Sequence, residues 1–249
     1  MERIIYQDII IKEDSHLWYM LKRHIVMSIA KNFFPALSNL LILDIGCCTG
    51  KMLRIFDGYG TTVGLDKDME SLRYCRKNNV ENVVMASAEI LPFKNDTFDL
   101  ITATDVIEHL DNDDLSLSEI FRVIKKDGLL ITIMPAFNCL WTRHDIESHH
   151  KRRYSAKMIK DKLEKAGFHV MKSKCINTVF FLPVFIISLI ENITKSYFRK
   201  LRNSHPRILG PLFEIISRLE TCLFNSGIDF LPGVAVISVS VKTGINQEN

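Results

Sequence analysis

The residues best placed to do chemistry begin with the run Leu43-Asp44-Ile45-Gly46-Cys47-Cys48-Thr49-Gly50. Glycine at 46 and 50 lets the backbone approach a ligand closely, and the unpaired N–H groups at the start of a following helix favour an anion. Asp66 lies 20 residues beyond Gly46. A carboxylate so placed, at the end of the next strand, accepts hydrogen bonds from both hydroxyls of a ribose. The two features together predict a nucleoside cofactor. The turn lacks the Gly-x-Gly-x-x-Gly of dinucleotide sites and no second mononucleotide half follows, which excludes NAD. A second chemically dense segment is Trp141-Thr142-Arg143-His144-Asp145-Ile146-Glu147-Ser148-His149-His150-Lys151-Arg152-Arg153-Tyr154. Imidazoles beside carboxylates and guanidiniums are what proton removal and anion holding require.

These groups need a scaffold, and the surrounding pattern predicts one. Residues 16–34 are apolar at helical spacing and stop at Pro35. Leu40-Leu41-Ile42-Leu43 reads as a buried strand, followed by a helix over 50–57, and 61–65 as a second strand ending at Asp66. A helix over 68–78, strands at 82–86 and 98–103, a helix over 113–125 and a fifth strand at 129–134 follow. The alternation predicts an α/β protein with a mostly parallel sheet and helices on both faces. The segment from Trp141 to Tyr154 follows strand five, at the carboxyl edge where ligands bind in such folds.

In combination the motifs resemble the class I S-adenosylmethionine-dependent methyltransferases, in the type 11 or ubiquinone-biosynthesis-like branch, from about Trp18 to Gly167. Residues 43–50 look like Leu-Asp-Ile-Gly-Cys-Gly-Thr-Gly, Gly64-Leu65-Asp66 like the ribose-binding strand end, and 86–93 like the segment beside the adenine. Residues 98–101 with 105–110 resemble the fourth-strand motif, and 126–130 the turn into strand five. The resemblance implies a Rossmann-like, seven-stranded sheet and S-adenosylmethionine as cofactor. It places that cofactor against Asp44, Gly46, Cys48, Gly50, Asp66, Lys67, Ser87, Ala88, Glu89 and Thr104. Trp18 and Arg23, in a segment resembling His-Trp-Trp-x(n)-Arg, would close over it from an N-terminal helix.

Residues 141–154 resemble a Trp-x-x-His-Asp…Gly-His-x-Arg-Arg-Tyr sequence in one subset of these enzymes. That makes His144, Asp145 and His150 the base candidates, with Arg153, Tyr154 and His109 toward the substrate. Asp105, Glu108 and His109 resemble an acid-x-x-Glu-His pattern that binds magnesium in some related quinone O-methyltransferases. Magnesium prefers oxygen ligands, so the expectation is no metal, with Glu108 and His109 flooring the site.

Two residues depart from the family pattern. Cys48 replaces a glycine, adding a β-carbon that crowds the cofactor, and Ser87 replaces an aspartate that faces the adenine amino group. They motivate a second reading, a methyltransferase-fold binding or assembly protein that has lost catalysis.

A helix over 157–167, a strand over 168–175 and a last strand over 234–241 complete the reading, with an insertion of 58 residues (176–233) before the last strand. Its first part is uncharged from Cys175 to Ile190, short of the ~20 apolar residues of a membrane span. Lys195, Arg199, Lys200, Arg202 and Arg207 follow without an intervening acid, then an amphipathic stretch with Leu212, Phe213, Ile216, Leu219 and Leu223. Fourteen Lys or Arg face three acids between 151 and 207, although the whole chain of 249 residues is only +3. An apolar face with a basic rim predicts peripheral contact with an anionic membrane through 176–231, ahead of the alternative of an added helical subdomain or dimer interface.

The organisation expected is an N-terminal helical lid (1–35), a cofactor-binding core (36–175), the hydrophobic and basic insertion (176–233), and a final strand and tail (234–249). With 47% apolar and 24% charged residues the chain reads as globular. Six cysteines without a Cys-x-x-Cys pair exclude a zinc knuckle and a disulfide framework, and point to a reduced, cytoplasmic setting. The start carries acids and no apolar core of a signal peptide. Thr104-Asp105-Val106-Ile107 lacks the Pro-Pro-aromatic motif of amino methylation, so no nucleic-acid partner is expected. The acceptor expected is a hydrophobic or lipid-linked small molecule, with O-methylation ahead of C-methylation.

Overall fold

The computed structural model describes residues 17–34, 36, 38–194, 210–225 and 231–243. The readings made on residues 1–16, on Pro35 and on the basic run 195–209 lie outside the described residues, as do the side chains of Leu212 and Phe213.

Seven strands form one sheet: β1 (Leu40–Ile45), β2 (Gly60–Asp66), β3 (Val83–Met85), β4 (Phe98–Thr104), β5 (Ile124–Pro135), β6 (His169–Ile176) and β7 (Ala235–Val241). Their order is β3-β2-β1-β4-β5-β7-β6. The strands from β1 to β5 pair in parallel, and β7 runs antiparallel to both β5 and β6. This is the α/β, mostly parallel, Rossmann-like architecture expected.

The central strands β1, β4 and β5 are largely buried on both sides, which is why they read as apolar runs. Neighbouring residues face opposite ways, as the strand repeat of two requires. Leu43, Ile101 and Leu130 join a core beneath helices α4 (Asp113–Val123) and α6 (Ala156–Lys165). Ile42, Leu100 and Ile131 join the opposite core with Ile25, Val26, Ile29 and Ala30 of helix α1 (Leu17–Phe33). Helix α6 starts at Ser155, whose Oγ accepts the Met158 N–H at 3.1 Å. Between these lie the short α2 (Lys51–Arg54), α3 (Met69–Lys77) and α5 (Arg143–Glu147).

Two boundaries differ from the sequence reading. Helix α2 ends at Arg54, because residues 55–59 continue as turns rather than a helix. Strand β5 begins at Ile124 and absorbs the polar Lys126-Asp127 corner, because Phe98 pairs with Ile124 and the register then shifts so that Leu100 meets Leu129.

The insertion divides between core and surface. Helix α8 (Gly210–Asn225) packs on α1 and sends Phe224 into the second core. Its buried Glu220 accepts the N–H groups of Asn177 and Val179 at 2.9 and 3.3 Å, pinning the exit of β6. Helix α7 (Phe181–Thr194) rests on the turn after β5, where Ser188 Oγ donates to the Cys139 carbonyl at 3.1 Å. Its outer face leaves Leu182, Ile186, Leu189 and Ile193 exposed, at 63%, 47%, 50% and 72%. Among the described residues no helix is long and apolar enough to cross a membrane.

Candidate functional site

The β1 exit makes the turn that the glycines predicted. Gly46, Cys48 and Gly50 all have positive φ, at 72°, 48° and 81°. A β-carbon at Gly46 would stand 2.2 Å from Val106 Cγ2, and one at Gly50 would stand 2.9 Å from Val80 Cγ2. Only glycine fits there, and the result is a cradle of backbone. At its base Asp44 is buried and accepts from Thr102 Oγ1 at 2.6 Å.

Asp66, at the end of β2, faces this turn. Its Oδ2 accepts the Cys48 N–H at 3.1 Å and its Oδ1 accepts the Asp68 N–H at 2.9 Å. Burial raises the Asp66 pKa, and the two N–H groups oppose that rise. Both oxygens are thus oriented and keep further acceptor capacity for a pair of hydroxyls. The backbone cradle and this carboxylate fit the amino-acid and ribose ends of S-adenosylmethionine.

Cys48 occupies a left-handed position that disfavours a β-carbon by about 1–2 kcal/mol. Replacing it, Cys48→Gly, is expected to raise stability by about 1 kcal/mol and to tighten S-adenosylhomocysteine binding several-fold. Thermal unfolding and titration calorimetry read the two effects, and a loss of affinity would mean that the thiol itself contacts the ligand.

The rim carries the remaining predicted residues. Ser87 Oγ accepts the Glu89 N–H at 3.2 Å, and Glu89 Oε1 accepts the Asn112 N–H at 2.7 Å. Ala88 is buried, Thr104 half-buried at the end of β4, and Lys67 exposed beside Asp66. On α1, Trp18 packs against the second core and Arg23 is half-buried. Lys22, which sequence reasoning missed, is buried, pairs with Asp105 just beyond β4, and lies 5.1 Å from the Trp18 ring centre. The signal available was its i, i+4 spacing from Trp18, which puts both on one helix face.

The segment after β5 forms a buried polar layer. Asp145 is fully buried; its Oδ1 takes Arg153 Nε and its Oδ2 takes Arg153 Nη2, at 2.8 and 2.9 Å. The Thr142 N–H adds a bond to Oδ2 at 2.8 Å, and His150 Nδ1 one to Oδ1 at 2.8 Å. Burial favours the neutral acid, but the bonds from His150 and Arg153 outweigh it and hold the carboxyl well below the usual carboxylate range.

Three sequence expectations are corrected here. Asp145 is no base, because its oxygens are consumed within this network. Arg153 spends its third arm on the Ala136 carbonyl at 2.9 Å, and the fully buried Tyr154 hydroxyl donates to Asp113 at 2.7 Å. Both are structural rather than turned toward a substrate. Charge pattern alone does not reveal burial.

His150 survives as a chemically competent group. Its Nδ1 faces the ionised Asp145 as the donor, which turns Nε2 away from that carboxylate. The His109 ring lies edge-on to that of His150, with ring centres 4.8 Å apart. Burial, then the nearby His150, lowers its pKa to about 4, so His109 is neutral at pH 7. Glu108 lies beside them at 0% exposure, its two oxygens without a hydrogen-bond partner. One ligand atom from each of Glu108, His109 and His150 falls within 4.8 Å of the others. His144 is exposed at the margin, its ring centre 6.2 Å from that of His150.

A seven-stranded sheet with a reversed β7, a glycine cradle and an acid-ended β2 defines a class I methyltransferase domain. Comparison with known proteins agrees: residues 43–132 match the family described as methyltransferase domain. An uncharacterized protein of Methanocaldococcus jannaschii is 33% identical over 156 residues, covering 62% of this chain and 65% of that one. The ubiquinone/menaquinone biosynthesis C-methyltransferase of Vibrio vulnificus is 33% identical over 123 residues, covering 44% of this chain and 47% of its own. The chain therefore spans from about half to just under two thirds of the length of these relatives. In structure, a SAM-dependent methyltransferase from Thermotoga maritima superimposes with a TM-score of 0.59 at 19% identity, covering 96% of this chain and 98% of that one. Residues 43–132 are therefore a methyltransferase domain, set in the fold of the S-adenosylmethionine-dependent methyltransferases.

Proposed function

We propose that the chain transfers a methyl group from S-adenosylmethionine to a hydrophobic small molecule drawn from a membrane surface. The observation that carries the reading is the Asp66 carboxylate drawn onto the Gly46–Gly50 cradle by the Cys48 N–H. The bound cofactor supplies a sulfonium methyl with a neutral thioether as leaving group. The transfer is an in-line displacement, so the protein's task is to align the acceptor and exclude water. In this reading Asp66 and the cradle hold the two ends of the cofactor, and Lys22 and Trp18 close the N-terminal side. The Glu108–His109–His150 cluster is the polar end of the acceptor site. The relative named for ubiquinone/menaquinone biosynthesis supports a quinone-like acceptor, a ring compound whose O–H or C–H proton leaves during methylation.

The membrane part rests on α7. Leu182, Ile186, Leu189 and Ile193 form one stripe at helical spacing, and the sequence that follows is basic. Such a face docks on anionic lipid as a peripheral contact, on the inner side of the membrane.

The test uses anionic vesicles carrying an organic extract of cellular lipids and quinones, with methyl-labelled cofactor. Label is expected in the organic phase, and the protein is expected to float with the vesicles. Ile186→Asp with Ile193→Asp is expected to reduce both at least tenfold, because each exposed isoleucine contributes about 1.5–3 kcal/mol when buried. Tight cofactor binding with no label in any extract would overturn the enzyme reading in favour of a binding or assembly role.

A further inference from the structure

We propose that Glu108, His109 and His150 form a site for one divalent transition-metal ion of the zinc type. The three come from two separate segments, the helical turn after β4 and the loop after α5. The Lys151 N–H donates to the Glu108 carbonyl at 2.8 Å and stitches the segments together. Their ligand atoms lie within 4.8 Å of one another. Zinc bonds of about 2.0–2.2 Å place tetrahedral donors roughly 3.3–3.6 Å apart, so ion binding must draw the most distant pair together by roughly 1 Å.

Three independent features point to a cation. First, Glu108 is wholly buried with both oxygens lacking a hydrogen-bond partner, an arrangement that calls for a partner not supplied by the neighbouring side chains. Second, the His150 imidazole is held from behind by Asp145 at 2.8 Å, and the His109 ring packs edge-on against it with ring centres 4.8 Å apart. The carboxylate bond is the outer support that fixes metal-ligating histidines and leaves the opposite nitrogen for an ion. Third, the nearby cations do not occupy the place: Lys22 is paired with Asp105 and Arg153 with Asp145.

The donor set decides the type of ion. Two imidazoles and one carboxylate suit zinc and its neighbours, whereas magnesium takes oxygen. Asp105, tied to Lys22, is not in the set, so this is not the acidic magnesium pattern weighed from sequence. Three protein ligands leave an open position for water or for an acceptor oxygen. That last step, coordination of the acceptor, rests on the methyltransferase reading; ion binding itself does not.

The test strips the full chain with a chelator and titrates it with Co2+ and with Zn2+, following Co2+ absorption and calorimetry. One ion per chain is expected, with Mg2+ failing to compete at equal concentration. Glu108→Gln and, separately, His150→Gln are expected to weaken binding by 100-fold or more, with circular dichroism confirming that each is folded. Binding that is absent, or unweakened in whichever variants fold, overturns the site. S-adenosylhomocysteine titrated into the same preparations separates the two readings. Cofactor binding without ion binding removes only the metal site, and ion binding without cofactor binding removes only the methyltransferase reading.

Discussion

Arg153→Met is expected to destabilise the fold by about 3–5 kcal/mol, the cost of leaving a buried charge without its partner. Arg153 meets Asp145 through two parallel bonds, and neither side chain has appreciable access to water, at 5% and 0%. Removing the guanidinium leaves Asp145 with His150 and with the N–H and hydroxyl of Thr142. Arg153→Lys keeps a charge but not the planar pair of donors, so an intermediate loss is expected. Denaturant unfolding followed by fluorescence measures both. An unchanged midpoint would show that the polar layer is wet and that His150 is not held in place. The pH dependence has a definite sign. The Asp145 pKa is depressed in the folded state, so its stabilisation is present above the ordinary carboxylate range and is lost as pH falls through the depressed folded value.

Asp66→Ala is expected to weaken S-adenosylhomocysteine binding by about 100-fold or more, with little change in unfolding midpoint. A hydrogen bond to a charged group contributes about 1.5–3 kcal/mol, and two ribose hydroxyls make two of them. The half-buried Asp66 also orients the Cys48 and Asp68 N–H groups, so part of the loss reflects a loosened cradle. Asp66→Asn, which keeps one acceptor oxygen, is expected to lose about tenfold. Titration calorimetry gives both affinities. Undiminished binding by the alanine variant would remove the nucleoside from this edge of the sheet.

The parts of the molecule legible from sequence are those whose cause is local. The β1 strand, the glycine turn and Asp66 lie within 27 residues of one another, from Leu40 to Asp66, and each follows from residue type and spacing. The β5–β7–β6 order was not legible in the sequence, because no local pattern in β7 specifies its neighbours. Partners distant in the chain were invisible. Lys22 gained its meaning only when Asp105 was brought to it, and Glu108 only when its oxygens proved to be orphaned. The burial of Arg153 and Tyr154 was hidden for a related reason: nothing local in a basic run says which of its side chains the fold puts inside. The insertion divided in the same way, since the apolar stripe on α7 was visible while the descent of Phe224 into the second core was not.

The placement of β7 between β5 and β6 has a bearing on how the chain assembles. The strands that carry the cradle and Asp66 can pair as soon as they are made, but among the described residues β6 has no strand neighbour other than β7, which emerges only after the whole insertion. Until then β6 offers an open row of backbone donors and acceptors, and β5 lacks its outer neighbour. During synthesis the cofactor-binding half can therefore mature while the far edge waits, with the apolar helices α7 and α8 already outside the ribosome and their final supports incomplete.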